Sequence, residues 1–263
     1  MKMLRGFFIS LQFLTAFPIN KSFPMDKVHI EKSIQSFPLL GLLQGVLYSS
    51  LLYVLLEWTP FSVLAVAFIV WLCTIIITGG IHLDGWMDAS DAFFSYQDKE
   101  KRLEIMKDPR MGAFGALSVL VLLSSRLLFI YEITVFVSDL SFFLILFIPF
   151  MSKVVMGMVL LRVPAAKPDG LAFFFKKAGN PSTLNIYPIY LIALLGLIAV
   201  IDMHVLLLAL FIVVVAVGCF FFIRKKSVTW FGGITGDVLG ASVEGTENVL
   251  WMTLWLLHYF VMG

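Results

Sequence analysis

The sequence has little charge, and the charge that it has is confined to short stretches. Only 14% of its 263 residues are charged, whereas 60% are hydrophobic and the mean hydropathy is +0.97. A soluble domain is about 25% charged, so this composition excludes an ordinary water-solvated globule. The apolar runs are about twenty residues long, which is the length that a helix needs to cross the hydrocarbon of a bilayer. We therefore expect a single integral membrane domain over residues 1–263.

Cysteine is scarce as well. Cys73 and Cys219 are the only two, and each lies within an apolar run. Their number and separation exclude a disulfide framework and a Cys-x-x-Cys metal site. The net charge of +2 favours no particular class of partner. We expect the lipid bilayer as a partner and no nucleic acid.

The N-terminal segment, MKMLRGFFISLQFLTAFPIN, begins with basic residues, as a signal peptide does. Gln12 interrupts the short apolar stretch and no small-x-small site follows, so we expect no cleavage. Apolar residues recur on one helical face, which favours a helix that lies in the membrane interface and ends before Pro18. This face consists of Leu4, Phe7, Phe8, Leu11 and Leu14.

Seven apolar runs are candidate transmembrane helices. They cover residues 38–56, 61–81, 112–130, 139–161, 185–201, 204–223 and 238–261. The expected fold class is therefore all-α: a polytopic transmembrane bundle of about seven spanning helices, preceded by the N-terminal interfacial helix.

The basic residues indicate the orientation of this bundle. All lysines and arginines except Arg126 and Lys153 lie before the first run or in alternate connections, 82–111, 162–184 and 224–237. By the positive-inside rule these segments are cytoplasmic. We expect a multi-pass protein of the cell inner membrane with a cytoplasmic N-terminus and site. Arg126 is expected to snorkel to the outer face, and Lys153 to snorkel inward or to reach a phosphate.

The first chemistry-bearing segment contains Asp84, Asp88 and Asp91. On a helix these carboxylates share a stripe of about 60°. Like charges at this spacing repel, which raises their pKa values or requires a cation. Oxygen ligands without a cysteine or a histidine pair suit Mg²⁺ or Mn²⁺. Gly85 leaves room for a pyrophosphate, and His82 is a ligand, a proton carrier or an interface residue; the alternative is a solvated acidic helix end.

Two further segments carry polar residues at the edge of an apolar run. Lys107 and Arg110 precede a helix, where a phosphate meets cations and a helix N-terminus, although ordinary positive-inside charge explains them equally. Three glycines around Thr235 and Asp237 form a flexible entry to the last run, suited to backbone contacts with an anion. Glu244 lies deeper, where an acid is a functional candidate by default or part of a polar packing seam.

These segments carry a family resemblance. GGIHLDGWMDASDA, RLEIMKDPRMGAFGAL and GGITGDVLGASVE, in this order and spacing, resemble the cobalamin synthase family, the adenosylcobinamide-GDP ribazoletransferases. The likeness extends through residues 37–41 and 164–171 and so covers nearly the whole chain. It implies a Mg²⁺-dependent membrane enzyme that joins adenosylcobinamide-GDP to α-ribazole, or its 5′-phosphate, with loss of GMP. It also implies association with other late enzymes of cobalamin biosynthesis.

The resemblance implies a role for each matching residue. Asp84 and Asp88 bind Mg²⁺, Lys107 and Arg110 hold the diphosphate, and the glycine-rich loop closes the site. The general base must reach the attacking hydroxyl, and Asp91, Asp237 and Glu244 all stay open for this role. The candidates are, as catalytic residues, Asp91, Asp237, Glu244 and His82; as substrate-binding residues, Gly85, Lys107, Arg110, Gly232, Gly233, Thr235, Gly236 and Lys153; and as metal ligands, Asp84, Asp88 and Asp91.

The chain departs from the family in one respect, and two other functions stay open. Arginine is common in the family where this chain has Lys153 and Lys167, and lysine lacks the bidentate fork of arginine. The acidic segment also looks like that of CDP-alcohol phosphotransferases, but their longer pattern is lacking. A cation-coupled transporter would place its acids near the bilayer midplane, whereas these cluster toward one face.

Overall fold

The computed structural model describes residues 1–262, and these form helices and no strand. A 3₁₀ turn, Pro181–Ile186, precedes α9, and a π-helical turn, His258–Met262, follows α11. The α-helices are α1 (Lys2–Leu14), α2 (Lys27–Trp58), α3 (Val63–Thr78), α4 (Ile81–Phe94), α5 (Lys99–Ile105), α6 (Ala113–Val135), α7 (Asp139–Arg162), α8 (Gly170–Ala178), α9 (Tyr187–Ile201), α10 (Met203–Phe231) and α11 (Gly236–Leu257).

Helix α7 is the centre of the bundle and is almost completely buried by α2, α10 and α11. Gly41 and Gly45 of α2 lie directly on its backbone. A Cβ atom at Gly45 would lie 2.7 Å from the carbonyl oxygen of Leu146. Helices in lipid associate through such small-x-x-x-small pairs, because there is little hydrophobic force between them and close packing must supply the attraction.

All seven predicted spans are helical. Five helices are long and apolar enough to cross a membrane: α2, α6, α7, α9 with its 3₁₀ turn, and α10. Helices α3 and α4 meet this standard only together, as a pair bent by 86°. Helix α11 carries Asp237, Glu244 and Glu247 and is less apolar. The structure thus supports a multi-pass membrane bundle of five or six such helices, fewer than the seven predicted.

Two helices extend well beyond the predicted spans. Helix α2 begins at Lys27, where the Asp26 carboxylate accepts hydrogen bonds from the backbone N–H groups of Val28 and His29 at 3.0 Å. Helix α10 continues to Phe231, so residues 224–226 are helical and do not form a loop. Charged residues mark the ends of the apolar runs, but the helices continue through them, because lysine and arginine are good helix formers.

Helix α4 leaves the direction of α3 at Gly79 and Gly80. Both have positive φ angles, 61° and 74°, in the left-handed region that glycine adopts without a Cβ penalty. Beyond the bend, α4 lies across one end of the bundle and contacts α11 and α6. The predicted 82–111 connection therefore contains two helices, α4 and α5, and the acidic stripe is on the first of them.

Helix α1 ends before Pro18, as predicted, and packs along α2. Its buried residues are Gly6, Ile9 and Ser10. Most of the predicted apolar face stays outside the core, with Leu4 exposed and Phe7, Phe8 and Leu11 half-buried. Leu14, also half-buried, packs against the core. This arrangement agrees with a helix that keeps one apolar face for the membrane interface.

Arg126 does not snorkel, which corrects the prediction. Its side chain and that of Glu244 are each 2% exposed, and Nη2 of Arg126 donates to Oε2 of Glu244 at 2.7 Å. The same nitrogen donates to the Glu244 carbonyl oxygen at 3.2 Å. Arg126 faces α11 and not the lipid, because a buried charge is tolerated only with a partner.

Arg126→Met should destabilise the bundle by about 3–5 kcal/mol, because it leaves the Glu244 carboxylate buried without its partner. The double variant Arg126→Met/Glu244→Leu should recover most of this loss. Denaturant unfolding in detergent micelles measures both. Arg110→Met, at an 87% exposed side chain, is the control and should change little. A single Arg126 variant as stable as the wild type would contradict the structural role of the pair.

Candidate functional site

A cavity of about 380 Å³ opens where α4 crosses the start of α11. It brings together residues of the acidic segment and of the glycine-rich segment, which lie about 150 residues apart in the chain. Its polar lining consists of His82, Asp84, Lys167, Asp169, Thr235 and Asp237. The rest of its lining is mostly apolar and comes largely from α1, α2, α7 and α8.

Glycine sets the distance between α4 and α11. A Cβ atom at Gly85 would lie 2.7 Å from the carbonyl oxygen of Asp237, and one at Gly240 would lie 3.2 Å from the carbonyl oxygen of His82. The space beside Gly85 is therefore filled by the Asp237 backbone and not left open for a pyrophosphate. Gly85 still lines the cavity, and its contact with a substrate stays a prediction. The close crossing carries Asp84 and Asp88 toward Asp237.

The carboxylates at this crossing repel one another. Asp84 is exposed at the cavity, and Asp88, one turn further along α4, is half-buried. Burial, and next the charges of Asp84, Asp237 and Asp91, raise the pKa of Asp88 to about 6. Thr235 donates a hydrogen bond to Asp237 Oδ2 at 3.3 Å. A cation would relieve the repulsion.

The carboxylates at the cavity fit one particular mode of Mg²⁺ binding. Within residues 1–262, no three Asp, Glu, His or Cys side chains converge as a complete metal site. Mg²⁺, however, usually takes one or two carboxylates and completes its shell with water and substrate phosphates. Asp84 and Asp88 are hard oxygen donors, of which Asp84 lines the open cavity. They fit an ion that a phosphate-bearing substrate shares.

Asp91 anchors helix α6. Its Oδ2 accepts a hydrogen bond from the Gly112 N–H and its Oδ1 accepts one from the Gly115 N–H, both at 2.8 Å. A Cβ atom at either glycine would overlap the carboxylate. Asp91 thus joins the acidic segment to the basic one, because an anion satisfies the free N–H groups at a helix start. It does not line the cavity, and its roles as metal ligand or base stay predictions.

The predicted cationic pair does not line the cavity. Arg110 is exposed and forms a bidentate pair with Asp108, at 2.9 Å from Nε and 2.6 Å from Nη2. Lys107 is exposed, and the cation at the cavity wall is Lys167. Burial, followed by the charge of Lys107, lowers the pKa of Lys167. Lys107 is therefore near enough to Lys167 for their charges to repel each other, although it does not line the cavity.

The glycine-rich loop positions Lys167 opposite Asp237. Gly232, with φ 77°, ends α10. The Ala166 N–H donates to the Ile234 carbonyl at 2.9 Å, and the Ile234 N–H donates to the Pro164 carbonyl at 2.8 Å. Gly233 lies against residues 164–166, where a Cβ atom would overlap the backbone of Ala165 and its neighbours.

The loop then begins α11 at the cavity. Thr235 caps the helix by accepting a hydrogen bond from the Val238 N–H at 3.1 Å. Gly236 lies exposed at the cavity, with nothing within 4 Å of the position of a Cβ atom. Both residues therefore line the cavity as predicted substrate-binding residues would, and their contacts with a substrate stay predictions.

Behind His82, a row of contacting polar side chains extends from the cavity into the core. Lys153 is fully buried, with Nζ 3.3 Å from Nε2 of His82 and 3.7 Å from Oε1 of Glu247. His82 lines the cavity, whereas Lys153 and Glu244 do not. The Glu244 carboxylate is bound to Arg126. The structure therefore places His82 at the cavity, and Lys153 and Glu244 behind it.

Several cavity residues were missed by the sequence interpretation. Phe13 and Leu14 come from α1, Leu171 and Phe175 from α8, and Asp169 from the loop before α8. No motif marks Phe13 or Phe175, whereas Asp169 and Leu171 fall within residues 164–171, a stretch that resembles the family. The periodicity of α1 predicted only a membrane-facing surface, because it cannot show that the helix end folds over the site.

A larger groove of about 1,140 Å³ lies on the other side of α4, between α6, α10 and α11. Its walls are apolar, and Lys226 is the one charged side chain among the described residues that line it. It contains no carboxylate. The smaller cavity, with its acids and Lys167, is therefore the candidate site.

Comparison with known proteins identifies the family. The family model described as cobalamin-5-phosphate synthase matches residues 6–255. The adenosylcobinamide-GDP ribazoletransferase of Geobacillus sp. (strain WCH70) is 40% identical over 98% of this chain and 97% of its own length. Those of Geobacillus thermodenitrificans and Clostridioides difficile are 36% and 33% identical over 100% and 97% of this chain, and 99% of their own lengths. No solved structure matches the chain significantly.

Asp91→Ala should lower the free energy of unfolding by roughly 1.5–3 kcal/mol, because two backbone N–H groups lose a charged acceptor. Asp88→Ala, one turn away and without such bonds, is the matched control and should not destabilise. Both are measured by denaturant unfolding in micelles. Equal stability of the two variants would contradict the anchoring role of Asp91.

Without divalent cations, the protein should lose stability as the pH rises through about 6. The pKa of Asp88 is raised from 3.8 to about 6 in the folded protein. The stability that protonation of Asp88 contributes is therefore fully present below pH 3.8 and is lost as the pH rises from there through about 6. Melting temperatures with a chelator, at several pH values, measure this loss. Asp88→Asn should flatten the dependence, and Glu100→Gln on exposed α5 should leave it unchanged.

Proposed function

Because the chain belongs to the cobalamin-5-phosphate synthase family, we propose that its acidic cavity carries out the reaction for which its relatives are named. The chain is an adenosylcobinamide-GDP ribazoletransferase: it joins adenosylcobinamide phosphate to α-ribazole and releases GMP. The observation that carries the assignment to this cavity is the crossing of α4 and α11, where Asp84, Asp237 and Lys167 line one cavity.

The reaction is a phosphoryl-type transfer. A hydroxyl oxygen of α-ribazole attacks the phosphorus on the cobinamide side of the diphosphate, and a new P–O bond forms. The P–O bond to GMP breaks, and GMP leaves with the bonding pair. The hydroxyl proton passes to a base. Positioning and charge stabilisation carry most of the catalysis in such transfers, so the protein must hold both substrates and neutralise the diphosphate.

Asp84 and Asp88 hold Mg²⁺ in this proposal. They are one turn apart on α4; Asp84 lines the cavity, whereas Asp88 is half-buried and does not line it. The ion supplies charge neutralisation to the diphosphate. A bound cation would also relieve the repulsion from Asp84 and Asp237, which adds to the effect of burial in raising the pKa of Asp88. A cation bound by Asp84 and Asp88 would therefore both stabilise the folded protein and take part in the reaction.

Asp237 is the proposed general base. Of the three acids left open by the sequence, Asp237 lines the cavity, whereas Asp91 caps α6 and Glu244 pairs with Arg126. A base must lie within hydrogen-bond reach of the proton that it removes. The Thr235 hydroxyl, donating to Oδ2 at 3.3 Å, holds the carboxylate in place.

Lys167 and Lys107 supply positive charge to the diphosphate. Lys167 lines the cavity, and Lys107 is near enough to Lys167 for their charges to interact. Lysine acts on phosphate as a point charge without the fork of arginine. Arg110 is held by Asp108 at the surface and must exchange this partner before it can reach a phosphate.

We place the cavity on the cytoplasmic side of the inner membrane. The motivation is the positive-inside rule: the segments that build the cavity, around α4 and before α8 and α11, belong to the lysine- and arginine-rich connections. A nucleotide-activated substrate is available on that side. Association with other late enzymes of the pathway stays a prediction of the resemblance.

Asp237→Asn should lower kcat by about 10²–10⁴-fold, the contribution of a positioned base, with little change in the Mg²⁺ requirement. Asp84→Asn should instead raise the Mg²⁺ concentration needed for half-maximal activity. The assay supplies adenosylcobinamide-GDP and α-ribazole to purified protein and measures GMP and the corrinoid product, with and without chelator.

Glu100→Gln, at an exposed acid outside the cavity, is the control and should keep full activity. Normal GMP release by Asp84→Asn at low Mg²⁺ would remove the metal assignment. Release of CMP from a CDP-alcohol, and no GMP, would favour the alternative phosphotransferase.

A further inference from the structure

Two chemically different groups of residues line the candidate cavity. The charged half, as we call the first group, consists of Asp84, Lys167, Asp169 and Asp237, and the apolar half consists of apolar residues of α1 and α8. The apolar half includes an aromatic cluster, in which the ring of Phe175 lies 5.7 Å from that of Phe13 and 6.4 Å from that of Phe37. Leu171 also lines the cavity and is 48% exposed. The reaction itself needs only the charged half, so the apolar half requires another explanation.

The size of the cavity limits what can occupy it. Its volume is about 380 Å³, at the lower end of the roughly 300–1,000 Å³ that small-molecule sites occupy. A nucleoside fits within this volume. A corrin macrocycle with its side chains is several times larger than a nucleoside and must stay outside. The cavity therefore admits only part of the substrate pair.

Each of the two substrates carries one heterocyclic base that could occupy the apolar half: guanine in one and the base of α-ribazole in the other. Guanine has polar edges on every side, and these would lose hydrogen bonds with water against phenylalanine and leucine, at a cost for each unpaired group. The base of α-ribazole is a dimethylbenzimidazole, whose outer edge carries two methyl groups and no polar atom. Aromatic and methyl surfaces gain from burial against Phe13 and Leu171.

We propose that the apolar half, formed by Phe13, Leu14, Leu171 and Phe175, is the specificity pocket for the base of α-ribazole. This inference rests on the proposed function. With the base in the apolar half, the ribose extends toward Asp237, the proposed general base. The diphosphate of adenosylcobinamide-GDP then approaches from the open side near Asp84 and Lys167, and its corrin stays outside the cavity.

Phe13→Ala should raise the KM for α-ribazole roughly tenfold, the effect of removing one partly buried aromatic contact. The KM for adenosylcobinamide-GDP should be unchanged. Leu171→Ala should act in the same direction but less strongly. Phe174→Ala is the matched control, because it is on α8, 43% exposed and outside the cavity, and it should change neither KM.

Base discrimination gives a second measurement that a merely structural role would not change. Wild-type protein should prefer α-ribazole over the riboside of unsubstituted benzimidazole, since each buried methyl group adds about threefold or more to affinity. Phe13→Ala and Leu171→Ala should narrow this preference. Equilibrium binding of α-ribazole alone, without Mg²⁺ or the second substrate, should be tightest for the wild type, weaker for Leu171→Ala and weakest for Phe13→Ala.

The outcomes separate this inference from the proposed function. A rise in the KM for adenosylcobinamide-GDP alone would overturn the inference, because the cavity would then hold the other substrate. Unchanged discrimination in both variants would overturn it as well. Binding of α-ribazole that depends on Phe13, without any GMP release by the wild type, would support the pocket and overturn the proposed function.

Discussion

Helix α4 meets the first turn of α11 at a distance that only glycine permits. With any side chain at Gly85, a Cβ atom would lie 2.7 Å from the Asp237 carbonyl oxygen, and the two helices would separate. The cavity depends on this contact, because it lies where the helices cross. The contact depends in turn on the 86° bend at Gly79 and Gly80, which turns the acidic helix across the end of the bundle.

The charges of the bundle divide into two groups with opposite requirements. Arg126, Glu244, Lys153 and Glu247 are buried and lie beside partners, as charges in a membrane domain must, since removal from water is expensive. The carboxylates around the cavity are in contact with solvent and repel one another. The pairs of the first group link α6, α7 and α11, whereas a cation would relieve the repulsion within the second group.

Much of the fold could be predicted from the sequence, because hydrophobic periodicity and length are local properties. Each predicted span is a helix, and α1 ends before Pro18. Helix ends were less predictable: α10 passes through its three basic residues to Gly232, because hydropathy reports burial in lipid and not helicity. The position of Arg126 was wrong for a related reason, since its partner Glu244 is more than a hundred residues away in the chain.

The sequence by itself determined the multi-pass helical class, the family, and the residue types that the chemistry needs. Only the tertiary structure decided how these residues divide the work. It assigned Asp91 to the start of α6, Glu244 to Arg126 and Arg110 to Asp108, and it left Asp237 and Lys167 at the cavity. Charge and spacing identify which side chains can bind a metal or move a proton. Whether a side chain is free to do so depends on partners from distant segments, which only the packing of helices brings into contact.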